Sequence, residues 1–135
     1  MRVAITITTH NRREELERTL GILTQLDPPP DSIHVCADGC TDGTLEFLAS
    51  KHPGVQVIVH EAAHGSVPSR NELAATAACE VFISLDDDSY PLDLDLIDRV
   101  RNTFERHPQL AVASFAQRSN EFPESRRAAG SFDDC

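Results

Sequence analysis

Three consecutive carboxylates, Asp86-Asp87-Asp88, leave the apolar run Val81-Phe82-Ile83-Ser84-Leu85 and are followed by Tyr90-Pro91. Adjacent like charges repel one another, so such a triplet is either fully solvated or offset by a cation, and carboxylate oxygens are the ligands that hard divalent cations select. The competing reading is an acidic loop that also caps a helix starting near Leu94. A second candidate is Asp38 in Asp38-Gly39-Cys40-Thr41-Asp42-Gly43-Thr44. A carboxylate at a strand end can accept hydrogen bonds from a ribose or a base N–H, although a lone Asp-Gly fits an Asx-turn equally well. Arg70 could contact a phosphate through a charge-assisted hydrogen bond or pair with one of the carboxylates, and the site role is preferred. If a nucleoside diphosphate lies here, a cation held by the Asp86-Asp87-Asp88 loop would chelate its phosphate oxygens, so that an acidic protein binds an anion through a metal.

These residues need elements to position them. Val3, Ile5 and Ile7 alternate in a first strand over 2–8, and Asn11 with Glu14 predicts a capping box at the start of a helix bearing Leu16, Leu20 and Leu23 on one face. Pro28, Pro29 and Pro30 forbid its continuation. A second strand is predicted over 33–37, a helix through Leu45, Phe47 and Leu48, and a third strand over 55–59. The next helix runs through Leu73, Ala74, Ala77 and Ala78, whose small side chains suit close packing on a sheet. Val81 to Leu85 reads as a buried fourth strand, Leu94, Ile97, Val100 and Phe104 as a helix face, and Leu110 to Phe115 as a fifth strand. Cys79 is expected in the core.

Strands alternating with helices require a parallel sheet with right-handed crossovers, so the fold class is doubly wound α/β, with a mostly parallel sheet and helices on both faces. One domain is expected over 1–117, with a polar tail over 118–135. In such sheets ligands bind beyond the carboxyl ends of the strands, near the point where strand order reverses. The unusual polar residues fall there: Thr8, Thr9, Asn11 and Arg12 after the first strand, Asp38 and Asp42 after the second, His64, Ser66 and Arg70 after the third, and the triplet after the fourth.

A chain of 135 residues with 40% hydrophobic and 25% charged side chains is expected to be a single soluble unit. Its 12 basic against 22 acidic residues, a net charge of -10, argue against a nucleic-acid surface or an anionic membrane as partner. The first loop lacks Gly-x-Gly-x-x-Gly and there is no P-loop. No apolar run is long enough to span a bilayer and no signal-peptide pattern precedes the first strand, so a cytoplasmic location is expected. The 4 cysteines match neither a zinc nor a redox spacing. His10, His34, His52, His60 and His107 form no ligand-spaced cluster and are expected in loops or at the surface.

Four signatures in order resemble the amino-terminal half of a family 2 glycosyltransferase of GT-A fold: Thr8-Thr9-His10-Asn11-Arg12, Asp38 through Thr44, Gly65 through Arg70-Asn71, and Leu85-Asp86-Asp87-Asp88 followed by Pro91. The resemblance implies an inverting transfer from a nucleotide-diphosphate sugar, with a UDP-sugar the first expectation, to an unknown glycan, lipid or small-molecule acceptor. It implies that Thr8 and Asp38 contact the nucleotide and that Arg70 lies near the diphosphate. Asp86 and Asp88 would be the outer pair of an Asp-x-Asp motif, Asp88 touching Mn²⁺ or Mg²⁺, and Asp87 would contact ribose or sugar. Cys40 stands where relatives usually carry Ser, and Ser69 where a small Ala is common.

Relatives continue into an acceptor-binding half with a carboxylate base, so the chain is expected to be a truncated or split donor half, self-associating or completed by a partner chain. Asp133 and Asp134 resemble a downstream Gly-Phe-Asp stretch only faintly, and no general base is assigned. The alternative function is a non-catalytic nucleotide-sugar-binding or interaction module. A phosphotransfer receiver domain would need an acidic pair after the first strand, where Thr8-Thr9-His10 stands.

Overall fold

The computed structural model describes residues 1–119. Four strands and four helices alternate: β1 (Val3–Thr9), α1 (Arg13–Leu23), β2 (Ser32–Asp38), α2 (Thr44–Lys51), β3 (Gln56–His60), α3 (Ser66–Thr76), β4 (Val81–Asp86) and α4 (Leu96–Arg106). All strand pairs are parallel, in the order β3-β2-β1-β4. The chain builds outward from β1 through β2 to β3 and then returns to the other side of β1 to lay down β4. The reversal therefore sits between β1 and β4, where the connections leave in opposite directions and a crevice opens at the carboxyl ends.

The pleat divides the sheet into two unlike faces. Val3, Ile5 and Ile7 of β1 join Val35 and Ile83 in one apolar cluster with Leu16, Leu20 and Leu23 of α1, Phe47 and Leu48 of α2, and Leu96, Ile97 and Val100 of α4. The other face is polar. Thr6 lies in register with His34 and Ser84, and Thr8 with Cys36 and Asp86. Helix α3 packs on β1 and β2, burying Ser69 and Leu73. Helices thus cover both faces of a parallel sheet, as the alternation of elements predicts.

Several boundaries differ from the expectations. Segment 110–115 forms no strand, and β4 has no second neighbour among the described residues. Its apolar content is partly alanine, which offers little area to bury, and Val112 and Phe115 stay 77% and 54% exposed. As the edge strand, β4 is accordingly not buried throughout: Ile83 is enclosed, whereas Phe82 is 46% exposed. Helix α4 begins at Leu96, and α3 ends at Thr76 with Ala74 exposed, so Ser69 and Leu73 make the close packing expected of the alanines. Cys79 is half-buried and outside the core cluster. Among the described residues no helix is long and apolar enough to cross a membrane.

Candidate functional site

The loops beyond the carboxyl ends of β1 and β2 are locked to each other. Asn11 adopts a positive φ of 49°, which asparagine tolerates better than most residues, and its Oδ1 accepts the Thr41 N–H at 2.6 Å. Asn11 is therefore not the N-cap of α1; Arg12 occupies that position without a side-chain cap bond. The capping falls to Asp42 from the neighbouring loop, which accepts the Arg13 N–H at 2.9 Å as well as the Thr44 N–H and hydroxyl at the start of α2. One carboxylate thus serves two helix N-termini, where negative charge is stabilised.

The acidic triplet splits by direction. Asp87 turns inward and is buried: Thr9 donates its hydroxyl to Oδ2 at 2.9 Å, and the Thr19 hydroxyl of α1 donates to the Asp87 carbonyl at 2.7 Å. Burial pushes its carboxyl above the usual range, against the pull of the Thr9 hydrogen bond and of Arg12. Asp86 and Asp88 turn outward, with side chains 63% and 48% exposed. Arg70 reaches from α3 to Asp86 and to the Ser84 hydroxyl, and Arg12 donates to Asp88 at 3.0 Å with its Nε 3.5 Å from Asp87. Two arginines therefore offset three carboxylates at the end of β4. Thr8, half-buried, lies beside Asp86 in the sheet register.

Asp38 ends β2 as a buried carboxylate. Its Oδ1 accepts the His64 N–H at 2.8 Å and His60 Nδ1–H at 2.8 Å, and its Oδ2 accepts the Gly65 N–H at 2.9 Å. Burial alone would raise its pKa, but these donors outweigh it and hold the carboxyl down to about 2. The His10 ring donates to the Asp38 carbonyl at 2.6 Å. The incoming loop packs so tightly on β2 that a Cβ at Gly39, whose φ is +66°, would fall 2.6 Å from the Ala63 amide nitrogen. Only glycine fits there.

His60 belongs to β3 and is 8% exposed, and His34 in β2 is 4% exposed, so neither is the loop or surface residue expected. The imidazole of His60 also reaches Glu72 of α3, at 2.6 Å from Nε2, and stacks on the His64 ring with centroids 4.2 Å apart. Possible ligand atoms of Asp38, His60 and His64 lie within 4.8 Å of one another. Asp38 Oδ1 and both His60 nitrogens are already taken by hydrogen bonds within this group and to its surroundings, and Asp38 Oδ2 by one from the Gly65 amide, so the group acts as a clamp with a single Oδ2 lone pair left over. By contrast Asp86 and Asp88, outward-facing hard oxygen donors beyond a strand end, suit Mg²⁺ or Mn²⁺.

The sequence model of glycosyl transferase family 2 matches residues 4–132, nearly the whole chain. The chain belongs to glycosyl transferase family 2. No curated protein matches it. Solved structures of similar fold include TarS from S. aureus, with a TM-score of 0.70 and 21% identity over 80% of this chain and 20% of that one. TarS 1-349 in complex with UDP-GlcNAc gives 0.69 at 21% identity, over 80% of this chain and 32% of that one. The mannosyltransferase PcManGT from Pyrobaculum calidifontis, in complex with GDP-Man and Mn²⁺, gives 0.65 at 22% identity, over 76% and 32%. This chain spans about a third or less of the length of these structures. Their likeness establishes the GT-A type of α/β fold. Asp133 and Asp134 lie outside the described residues.

Proposed function

We propose that this family 2 chain forms the donor site of a metal-dependent, inverting glycosyltransferase that takes a nucleotide-diphosphate sugar, a UDP-sugar first. The observation that carries this reading is the split of the triplet: Asp86 and Asp88 face outward beside Arg70 and Arg12, while Asp87 is anchored inward. In this reading Asp88, with Asp86, holds Mn²⁺ or Mg²⁺, and the cation when bound supplies Lewis-acid charge for the departing diphosphate. Arg70 and Arg12, now paired with carboxylates, then turn to phosphate oxygens. Thr8 and Thr9 line the floor between β1 and β4. Asn11 holds the first loop against the second. Asp38 shapes the loop beside the nucleotide and keeps one carboxylate edge for it.

Support comes from relatives of the same fold whose structures hold UDP-GlcNAc, or GDP-Man with Mn²⁺. In this reading an acceptor-binding part with its base, supplied by further chain or by a partner subunit, completes the site, and the enzyme works in the cytoplasm. An inverting transfer needs a base to take the acceptor proton as the sugar–phosphate bond breaks.

Calorimetric titration with UDP-, GDP- and dTDP-sugars, with and without Mn²⁺, tests the proposal. Metal-dependent binding of one donor is expected, weakened at least about tenfold in Asp88→Ala. Absence of metal-dependent binding, or an unchanged affinity in Asp88→Ala, refutes it. Donor binding without hydrolysis or transfer would instead identify a non-catalytic binding module.

A further inference from the structure

His60 lies between two carboxylates on different elements, and elementary hydrogen-bond chemistry fixes its state. Nδ1 is 2.8 Å from Asp38 Oδ1 and Nε2 is 2.6 Å from Glu72 Oε2. Ionised carboxylates only accept, and a neutral imidazole carries one N–H, so both contacts together require the doubly protonated ring. The sheet itself enforces the first contact, because Asp38 and His60 are register partners on adjacent strands and their side chains share a face. Glu72 stands one α3 turn from Ser69 and two residues beyond Arg70, so its bond to His60 fixes the rotation of the helix that carries Arg70. The loop between His60 and α3 closes onto Asp38 through the His64 and Gly65 amides.

Resting on the donor-site reading above, we propose that His60 is a positioning residue of that site. As an imidazolium it ties the end of β2 to α3, fixing both the 61–65 loop and the Arg70 guanidinium where the nucleotide diphosphate binds. Nothing in the geometry requires His60 to touch the donor.

The groups facing the ring are Asp38 and, at 3.7 Å from Nδ1, the Cys36 thiol of β2, together with Glu72 of α3 and His64 of the loop. Hydrogen bonds from His60 to Asp38 and then Glu72 raise its pKa, against a smaller opposing effect of burial. A raised value means the clamp is intact below the ordinary histidine range and opens as pH rises through the raised value. Donor affinity should therefore fall on the alkaline side. The diphosphate of a UDP-sugar does not titrate there, and the uracil N3–H loses its proton only at the alkaline end, so a change centred lower belongs to the protein.

The test uses the full chain with UDP-N-acetylglucosamine and Mg²⁺, titrated calorimetrically between about pH 6 and pH 9, the range in which histidine is the natural switch. Wild type should lose affinity as pH rises, and His60→Gln should bind about tenfold more weakly at low pH with a flat profile. Glu72→Gln removes one of the two carboxylates from a side chain 46% exposed, so it should fold normally and move the midpoint of the profile to lower pH. In parallel, ¹⁵N shifts of the His60 ring should show both nitrogens protonated at neutral pH. A neutral His60 ring at neutral pH overturns the proposal, as does a Glu72→Gln profile identical to wild type or a His60→Gln affinity equal to it. Failure of wild type to bind any UDP-, GDP- or dTDP-sugar would instead bring down the donor-site reading on which the proposal rests; where another of these binds in place of UDP-N-acetylglucosamine, the same profiles are read with it.

Discussion

Two carboxylate groups stand at the same edge of the sheet and are held in opposite ways. Asp38, at the end of β2, is 4% exposed and fixed by two backbone amides and a buried imidazole. Asp86 and Asp88, at the end of β4, are about half exposed or more and meet only the ends of arginine side chains. Backbone donors in a packed loop cannot leave without unfolding it, whereas a guanidinium on a flexible stem exchanges partners at little cost. The β2 side is therefore a fixed wall and the β4 side an exchangeable site. Asp87 mediates between them: it belongs to the exposed triplet in sequence and to the buried frame in structure, through Thr9 and Thr19.

The largest expected effect breaks the wall. Asp38→Ala leaves the buried His60 and two amides without their acceptor, and stripping one partner from a buried charge cluster costs about 3–5 kcal/mol. Chemical denaturation should show a loss of this size. A loss below about 1 kcal/mol would mean that the loop finds other partners and that the contrast with Asp86 and Asp88 is not one of rigidity.

Acid should separate the two groups next. The Asp38 carboxyl sits at about 2, below its ordinary 3.8, so the stability it contributes is present above 3.8 and lost as pH falls toward 2. The difference corresponds to about 2 kcal/mol, measurable as a falling urea midpoint between about pH 5 and pH 2. Asp87, raised by burial, works in the other direction, because a group that holds its proton more tightly when folded gains stability as pH falls. Replacement of Asp87 by Asn should therefore deepen the acid loss. Relief of the acid loss in Asp87→Asn would reverse the assignment of the two carboxyls.

The sequence made some of this legible and concealed the rest for physical reasons. Leu16, Leu20 and Leu23 announce a helix face and Val3, Ile5 and Ile7 a strand because their spacing follows local geometry, and all six are buried as the pattern requires. The four polar loops could be assigned to one edge because a parallel sheet puts every strand's carboxyl end on the same side. His60 escaped notice since its importance depends on the β2–β3 register, which pairs it with Asp38 across 22 residues of chain. Glu72 on α3 is similarly invisible as one acid among many. The expected fifth strand failed because Leu110-Ala111-Val112-Ala113-Ser114-Phe115 resembles a strand locally while burying too little area, and whether an edge strand gains a neighbour is not a local property. Asn11 misled for a related reason: a capping signature is local, but the oxygen that captures the Arg13 amide belongs to Asp42.

The smallest expected effect on stability is the sharpest on the exchangeable site. Arg12 is 46% exposed and pairs with Asp88, Asp87 and Glu15 at 3.0, 3.5 and 3.9 Å. Arg12 itself is exposed although its Asp87 partner is buried, so Arg12→Gln should lower folding stability by no more than about 1 kcal/mol. Its effect on a cation should be of opposite sign. If Asp88 holds the cation as proposed, Mn²⁺ in the absence of nucleotide would have to displace the guanidinium from Asp88 and would also feel the repulsion of that positive charge. Removing Arg12 should therefore tighten binding of Mn²⁺ alone by at least about threefold, a modest figure because the site is open to water and screened by salt. Water-proton relaxation during a Mn²⁺ titration reads this directly without any donor or acceptor. With the donor present the order should reverse, since Arg12 is then free to meet a phosphate oxygen and its loss weakens the ternary complex. Weaker Mn²⁺ binding in Arg12→Gln without nucleotide would show that the guanidinium orders Asp88 rather than competing for it, and the β4 side would then be as fixed as the wall formed by Asp38.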